Sequence, residues 1–390
     1  MAYDSRTAAT DEIRLALRAE MPVARQWAYL DHAAVAPLSQ PAADALARYA
    51  QESVTGGDTH WLEWEKVVQS CRRRAAELIG ADAGEIALVH NTTMGVNFVA
   101  EGIDWRRGDN VVTLADEYPA NAYPWIHQQD RGVEARRLPT NDGRIDLDAL
   151  RDAVDQRTRV VSVSWVGFLT GYRNNLAAIA EIAHSVDAFF FVDAIQGMGV
   201  FPLDVRETPI DGLAVDGHKW LLAPEGAGFA YLRADKLDRL RPIGVGAGSV
   251  TSHDYAVIDY QLKPTADRYE GGSWNTGGLM ALEASIKLLG RWPRERFADA
   301  LLAITDDACE KLRSAGAQIA THRELEPTGH DPRSGIIAVN LPGHTPQSIR
   351  KACLAARIAV SVRGGRLRIS PHAYTTEEDI DRLIEVLKSF

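Results

Sequence analysis

The residues best suited to do chemistry lie in FVDAIQGMGVFPLDVRETPIDGLAVDGHKW, residues 191–220. An aromatic and β-branched run ends in Asp193, Gln196 follows three residues on, and a second apolar run leads into His218-Lys219. In open α/β sheets ligands bind beyond the carboxyl ends of the strands, so Asp193 and Lys219 are expected to face one crevice. An amine and a carboxylate so placed meet the needs of pyridoxal phosphate, which forms a Schiff base with a lysine while a carboxylate keeps its pyridine nitrogen protonated. The protonated ring is an electron sink for a carbanion at the substrate α-carbon. Each residue also has a plainer reading. A lysine at a strand end can snorkel to the surface, and an aspartate there can serve as a cap.

The elements needed to position this pair are legible around it. EIALVHN (85–91), NVVTLADE (110–117), TRVVSVSWV (158–166), AFFFVDAIQ (188–196), DGLAVDGHKW (211–220) and GAGFAYLR (226–233) are runs of strand length. IDLDALRDAVDQ (145–156) and NLAAIAEIAHSVD (175–187) between them read as helices. Near-continuous apolar strands separated by helices imply a parallel sheet buried on both faces. The C-terminal part reads as a small α+β domain. It has a strand in GIIAVNLPG (335–343), an amphipathic helix in TPQSIRKACLAARI (345–358) and two short strands around Gly364-Gly365. A closing helix follows, with Thr375 and Glu378 spaced as a capping box. Expected units are an N-terminal segment, 1–25, packing with the small domain; a large domain, 26–285; and the small domain, 286–390, with the boundary near GRWPRERF.

Composition narrows the function. With 46% hydrophobic and 25% charged residues, 17 prolines and 31 glycines among 390 residues, the chain is globular. A net charge of −10 without a Lys/Arg-rich run argues against nucleic acid as a partner. Three cysteines make no disulfide framework and suit a reducing cytoplasm. The first twenty residues have no apolar core of signal-peptide type. No run of about 18 apolar residues is present, so no membrane span is expected.

Six segments, in order, resemble the class V aminotransferase family of fold-type I pyridoxal-phosphate enzymes. That family includes cysteine desulfurases, cysteine lyases and isopenicillin-N-epimerase-like proteins. The segments are YLDHAAVAP (29–37), HNTTMGVNFVA (90–100), EYPANAYPW (117–125), VDAIQ with DGHKW, YEGGSWNTGG (269–278) and RLRISPHAYTTEEDID (366–381). The resemblance implies a mostly parallel seven-stranded sheet between helices, plus a small α+β domain. It makes Lys219 the Schiff-base lysine and Asp193 the partner of the pyridine nitrogen. Gln196 would bond the phenolic oxygen of the ring, and Tyr118 would stack on the ring. His218 and the loop-to-helix entry at Thr92, Thr93 and Met94 would hold the phosphate, since helix N-termini bind anions. Ser273 would reach the phosphate of the partner subunit, which implies a homodimer with composite sites. Arg368 would take the substrate α-carboxylate, with His32, Ala33 and Asn121 also near the substrate. No metal is implied.

The chain departs from the family in three places. SVRGGRLRIS (361–370) has neither the cysteine nor the long loop on which desulfurases carry sulfur. Cys71, Cys309 and Cys353 lie in helix-like segments and read as small core residues. Tyr118 stands where desulfurases have a stacking histidine, so proton steps would fall to Lys219, or to His32, His60 or Tyr123. Asp216 replaces a Ser or Thr common in relatives. The expected function is therefore an enzyme acting at Cα/Cβ of a small-molecule amino-acid substrate, a lyase making no protein persulfide. The alternatives are an epimerase or aminotransferase of the isopenicillin-N-epimerase-like branch, and a non-enzymatic relative. A nicotinamide enzyme is disfavoured because no G-x-G-x-x-G follows the first strand. Arg363 and Arg366 read as solvated charges.

Overall fold

Phe189, Phe190 and Phe191 expose no surface. Successive side chains of a strand point to opposite faces, so three buried in a row need cover on both sides. Each is worth about 1.5–3 kcal/mol relative to exposure. They lie in the middle of a seven-stranded sheet in the computed structural model, which describes residues 5–252, 254 and 256–390. Residues 1–4 of the expected N-terminal segment lie outside the described residues.

The strands run across the sheet in the order Ile86–Val89, Gly228–Leu232, Gly212–Asp216, Phe189–Asp193, Thr158–Ser164, Asn110–Leu114 and Glu134–Leu138. Gly228–Leu232 is antiparallel to both its neighbours, and the other pairings are parallel. The six runs read as strands from the sequence all form them. The seventh, EARRL at 134–138, is a partly exposed edge strand. Its charges suit an edge but hide it from a search for apolar runs. Parallel registry brings Ser164 opposite Asp193 and Asp193 opposite Ala214, so three strand ends open on one crevice.

Helix Thr276–Leu289 packs on helices Gln40–Gly56 and Trp61–Leu78. Beyond Gly290–Pro293, helix Arg294–Ser314 continues into an antiparallel sheet ordered Ser361–Arg363, Arg366–Ile369, Ile337–Asn340, Gln318–Ile319. The first two of these strands form a hairpin whose turn, Gly364-Gly365, has φ +54° and +75°. A two-residue turn with both φ positive matches strand twist and strongly favours glycine. Helix Ser5–Ala19 packs on Arg294–Ser314, and Arg18 pairs with Asp379 at 2.7 Å. Ala28-Tyr29 pairs in parallel with Ile358-Ala359, and Asp31 bridges to Ser370. This association therefore continues past residue 25.

One expected detail is corrected. The closing helix, Glu377–Lys388, starts one residue later than the capping box predicted from Thr375 and Glu378. Thr376 and Asp379 form the box, because the Thr375 hydroxyl is taken by the His372 N–H at 3.0 Å. Among the described residues no helix is long and apolar enough to cross a membrane.

Candidate active site

Lys219 follows the strand Gly212–Asp216 by three residues and is 7% exposed. Its ammonium lies 5.5 Å from the centre of the Tyr118 ring. Burial pushes its pKa down to about 8; Arg368 and Arg363 push the same way, against Asp193 and Asp216. Asp193 ends the neighbouring strand, 2% exposed. Burial lifts its pKa to about 6, although the Ile195 N–H and Lys219 favour its charge. The pair is thus a base near neutrality beside a buried acid, the perturbation expected of a functional site. Tyr118 is 45% exposed and meets Phe168 edge-on at 5.2 Å.

Helix Thr92–Ala100 packs on the strand Gly212–Asp216. Gly95 makes this approach possible: a Cβ there would come within 2.5 Å of the Ala214 Cβ, on the strand that leads to Lys219. Asn91 caps the helix by accepting the Met94 N–H at 2.9 Å. The N–H groups of the first helical positions have no intrahelical acceptor, which leaves Thr92 and Thr93 to present theirs. The buried Thr92 hydroxyl has no partner among the described residues. His218 Nδ1 lies 2.9 Å from Asp216 Oδ2, and the buried Asp216 Oδ1 is unpartnered.

The loop 29–37 closes one side. The Ala36 N–H donates to His218 O at 2.7 Å. Gln196 Nε2 donates to Ala33 O at 3.0 Å, while its Oε1 accepts the Trp220 indole N–H at 2.8 Å. One N–H of Gln196 remains. His32 does not join the group: its side chain is fully buried, with Nδ1 3.0 Å from Ser370 O and Nε2 2.9 Å from the Tyr374 hydroxyl. Burial and the neighbouring His372 hold its pKa well below the usual histidine range. The expectation that its side chain meets substrate or moves a proton is corrected on that ground. Tyr123 is 67% exposed, and His60 leans on Trp64 at the start of helix Trp61–Leu78.

Arg368 is 2% exposed. It donates through Nη1 to Phe168 O at 3.0 Å and through Nε to Ser361 Oγ at 3.3 Å, and Nη2 lies 3.5 Å from Asp31. Nη2 makes no hydrogen bond within the described residues, so half of the fork is available. Burial lowers its pKa to about 10, and it stays charged at neutral pH.

Two acids escaped the sequence reading. Glu270 ties down the loop that carries the exposed Ser273: it pairs with Arg72 at 2.5 and 2.9 Å and accepts the Leu88 N–H and the Trp274 indole N–H, both at 2.7 Å. Glu117 accepts the Ser164 N–H at 2.6 Å and the Ser164 hydroxyl. Burial raises its pKa to about 8, and the Asp193 charge adds to that. Asn121 stands beside it, accepting from Trp125 Nε1 at 3.0 Å and Ser162 Oγ at 2.6 Å. An acid just after a buried strand was the available signal for Glu117. Cys71, Cys309 and Cys353 are buried in helices, and burial raises all three thiol pKa values.

The donor set fits pyridoxal phosphate. It offers a buried lysine beside a carboxylate, an aromatic face over that lysine, an anion-binding helix start with an unpartnered hydroxyl, and a guanidinium with free N–H groups.

Comparison with known proteins points the same way. The family model for class-V aminotransferases matches residues 28–383. A probable cysteine desulfurase of Methanothermobacter thermautotrophicus is 30% identical, the match covering 95% of this chain and 96% of the relative. A cysteine desulfurase of an Enterobacter species is also 30% identical, over 95% and 97%. In fold, the chain resembles the apo cysteine desulfurase of Thermococcus onnurineus, with a TM-score of 0.86, 24% identity and 96% of each chain covered. It also resembles the cystine C–S lyase C-DES in complex with its product cysteine persulfide, with a TM-score of 0.86, 22% identity, and 95% of this chain and 99% of that one covered.

Proposed function

The chain belongs to the class-V aminotransferase family and is a pyridoxal-phosphate enzyme; within that family we propose that it is a lyase. It would remove a β-substituent from a small L-amino acid of the cysteine type without storing sulfur on the protein. One observation carries the lyase reading: the hairpin Ser361–Ile369 turns on two glycines and bears no cysteine, while all three thiols are buried elsewhere. A sulfur leaving the substrate then has no protein thiolate to receive it, and must depart as a small molecule.

The cofactor supplies the electron sink. Lys219 would hold the cofactor covalently, and its Nζ, near neutral in proton affinity by virtue of its burial, would carry the Cα proton. Asp193 would keep the pyridine nitrogen protonated. Tyr118, 5.5 Å from the Lys219 ammonium, would lie against the ring. Gln196 would offer its remaining N–H to the phenolic oxygen, while Thr92, Thr93 and His218 would hold the phosphate; the Met94 N–H expected to join them is taken by Asn91. Arg368 fixes the α-carboxylate so that the bond to be broken stands perpendicular to the ring, with Ala33 and Asn121 shaping the floor. We assign the chain to the cytoplasm, where such thiols stay reduced. A homodimer belongs to the same reading. Ser273 is exposed and sits beside a stack of Trp61 on Trp274, ring centres 6.0 Å apart. Light scattering should give twice the 42.8 kDa chain mass, and an active monomer would remove the shared site.

The test is a panel of L- and D-amino acids with purified holoenzyme. β-Elimination from cysteine, with water, yields pyruvate, ammonia and sulfide together. Keto acid from the intact carbon skeleton, or inversion at Cα, would replace the lyase with an aminotransferase or an epimerase.

A further inference from the structure

Trp220 directly follows Lys219 and is 1% exposed. Its indole reaches three parts of the molecule. Nε1 donates to Gln196 Oε1 at 2.8 Å, in the turn after the strand that ends at Asp193. The ring stacks on His372, with 5.8 Å between centres and 23° between planes, and lies 6.2 Å from His32. Its far edge lies against Gly335, where an added Cβ would come within 2.3 Å of Cη2. The indole is thus wedged between the Gln196 turn and the C-terminal segments at 335 and 372, with no room to swing away from Gln196.

An indole N–H can only donate, and a backbone carbonyl can only accept. Gln196 is 3% exposed and meets one of each: Trp220 Nε1 at its Oε1, and Ala33 O at its Nε2, 3.0 Å away. Turning the amide over would set N–H against N–H and oxygen against oxygen, and buried polar groups resist being left unpaired. The amide therefore has one orientation, and what it offers elsewhere is its second N–H. We propose that Trp220 is a positioning residue: it fixes the Gln196 amide so that an N–H, and not the carbonyl, faces the phenolic oxygen of the cofactor. This rests on the proposed contact of Gln196 with that oxygen. The oxygen is a bare anion once the Schiff-base nitrogen has lost its proton, and a hydrogen bond donated to the charged form favours that form. Trp220, acting through Gln196, thereby lowers the proton affinity of the linkage.

The test titrates holoenzyme by absorbance, following the yellow protonated Schiff base against pH, in a double-mutant cycle of Trp220→Phe and Gln196→Leu. A hydrogen bond to a charged group is worth about one to two pKa units, so Gln196→Leu raises the spectroscopic pKa by that much. Trp220→Phe raises it by roughly one. In the Gln196→Leu background Trp220→Phe adds nothing, since the effect passes through one amide. The histidines against the indole supply no titration of their own here: burial lowers His372 to about 4 and holds His32 well below the usual histidine range. The charges acting on Lys219, those of Asp193, Asp216, Arg368 and Arg363, are kept in every variant. If Trp220→Phe does not fold, β-(3-benzothienyl)-L-alanine at position 220 keeps the bicyclic ring and removes only the N–H, and the same rise is expected. A lowered melting temperature with the spectroscopic pKa unmoved would mean packing alone, and overturns the inference. A rise that persists in the Gln196→Leu background also overturns it, by placing the effect on Lys219 itself. If Gln196→Leu leaves the spectroscopic pKa unmoved, the proposed contact of Gln196 falls, and the inference with it.

Discussion

Arg368→Ala removes a deeply buried guanidinium on the proposed substrate side of the site. In the wild type that group donates to Phe168 O and Ser361 Oγ, while Nη2 lies 3.5 Å from Asp31 and makes no hydrogen bond within the described residues. Loss of one partner of a buried charged pair costs about 2–5 kcal/mol, so amino-acid affinity should fall by roughly 30- to 5,000-fold. Arg368→Lys keeps the charge but loses the fork, and should recover only part of this. The alanine variant also strands Asp31, whose pKa burial already raises, so a stability loss on the order of 3 kcal/mol is expected. Affinity must therefore be measured well below the lowered melting temperature. The assay titrates holoenzyme with an L-amino acid and with the matching amine that lacks the carboxylate, following cofactor absorbance. The account predicts a large loss for the amino acid, little change for the amine, and the Lys219 Schiff base intact in both. If wild-type enzyme accepts the two ligands equally, or Arg368→Ala binds the amino acid normally, the reasoning is wrong.

Acid should destabilise the fold through His372. Burial lowers its pKa from 6.5 to about 4, so between those values the unfolded chain holds a proton that the folded chain does not. Stability is lost as pH falls through that window, by on the order of 3 kcal/mol, and the melting curve of His372→Gln should be flatter over it; identical pH profiles would contradict this. Replacing Cys71, Cys309 and Cys353 together by Ala should cost stability but leave turnover per folded molecule near normal. A loss above about tenfold, roughly 1.4 kcal/mol of barrier, in a folded variant would restore a thiol to the mechanism. Glu270→Gln leaves Arg72 buried without its countercharge and should lower stability by about 3–5 kcal/mol in denaturant melts; an unchanged midpoint would show that the pair does not hold the Ser273 loop.

The sequence made the centre of the molecule legible and its periphery less so. The Asp193 and Lys219 strands are nearly pure apolar runs, because a parallel strand covered on both faces leaves no polar positions. Glu134–Leu138 was invisible for the opposite reason, its sheet position being fixed by the neighbouring strand rather than by its own pattern. The capping box moved by one residue because a single hydroxyl, Thr375, had a competing donor in His372. His32 looked available because a histidine in a loop gives no sign of being buried between Ser370 and Tyr374, residues more than 330 positions away. Glu117 was passed over because an acid next to Tyr118 gains its character only when Ser164, on another strand, surrounds it.

The central claim is that Lys219 carries the cofactor. Borohydride reduction of holoenzyme, followed by proteolysis and mass mapping, measures this directly. The account predicts a yellow protein and one pyridoxyl-phosphate label, on the peptide containing Lys219, absent from Lys219→Ala. A colourless protein that takes up no added pyridoxal phosphate, or a label on any other lysine, would contradict it.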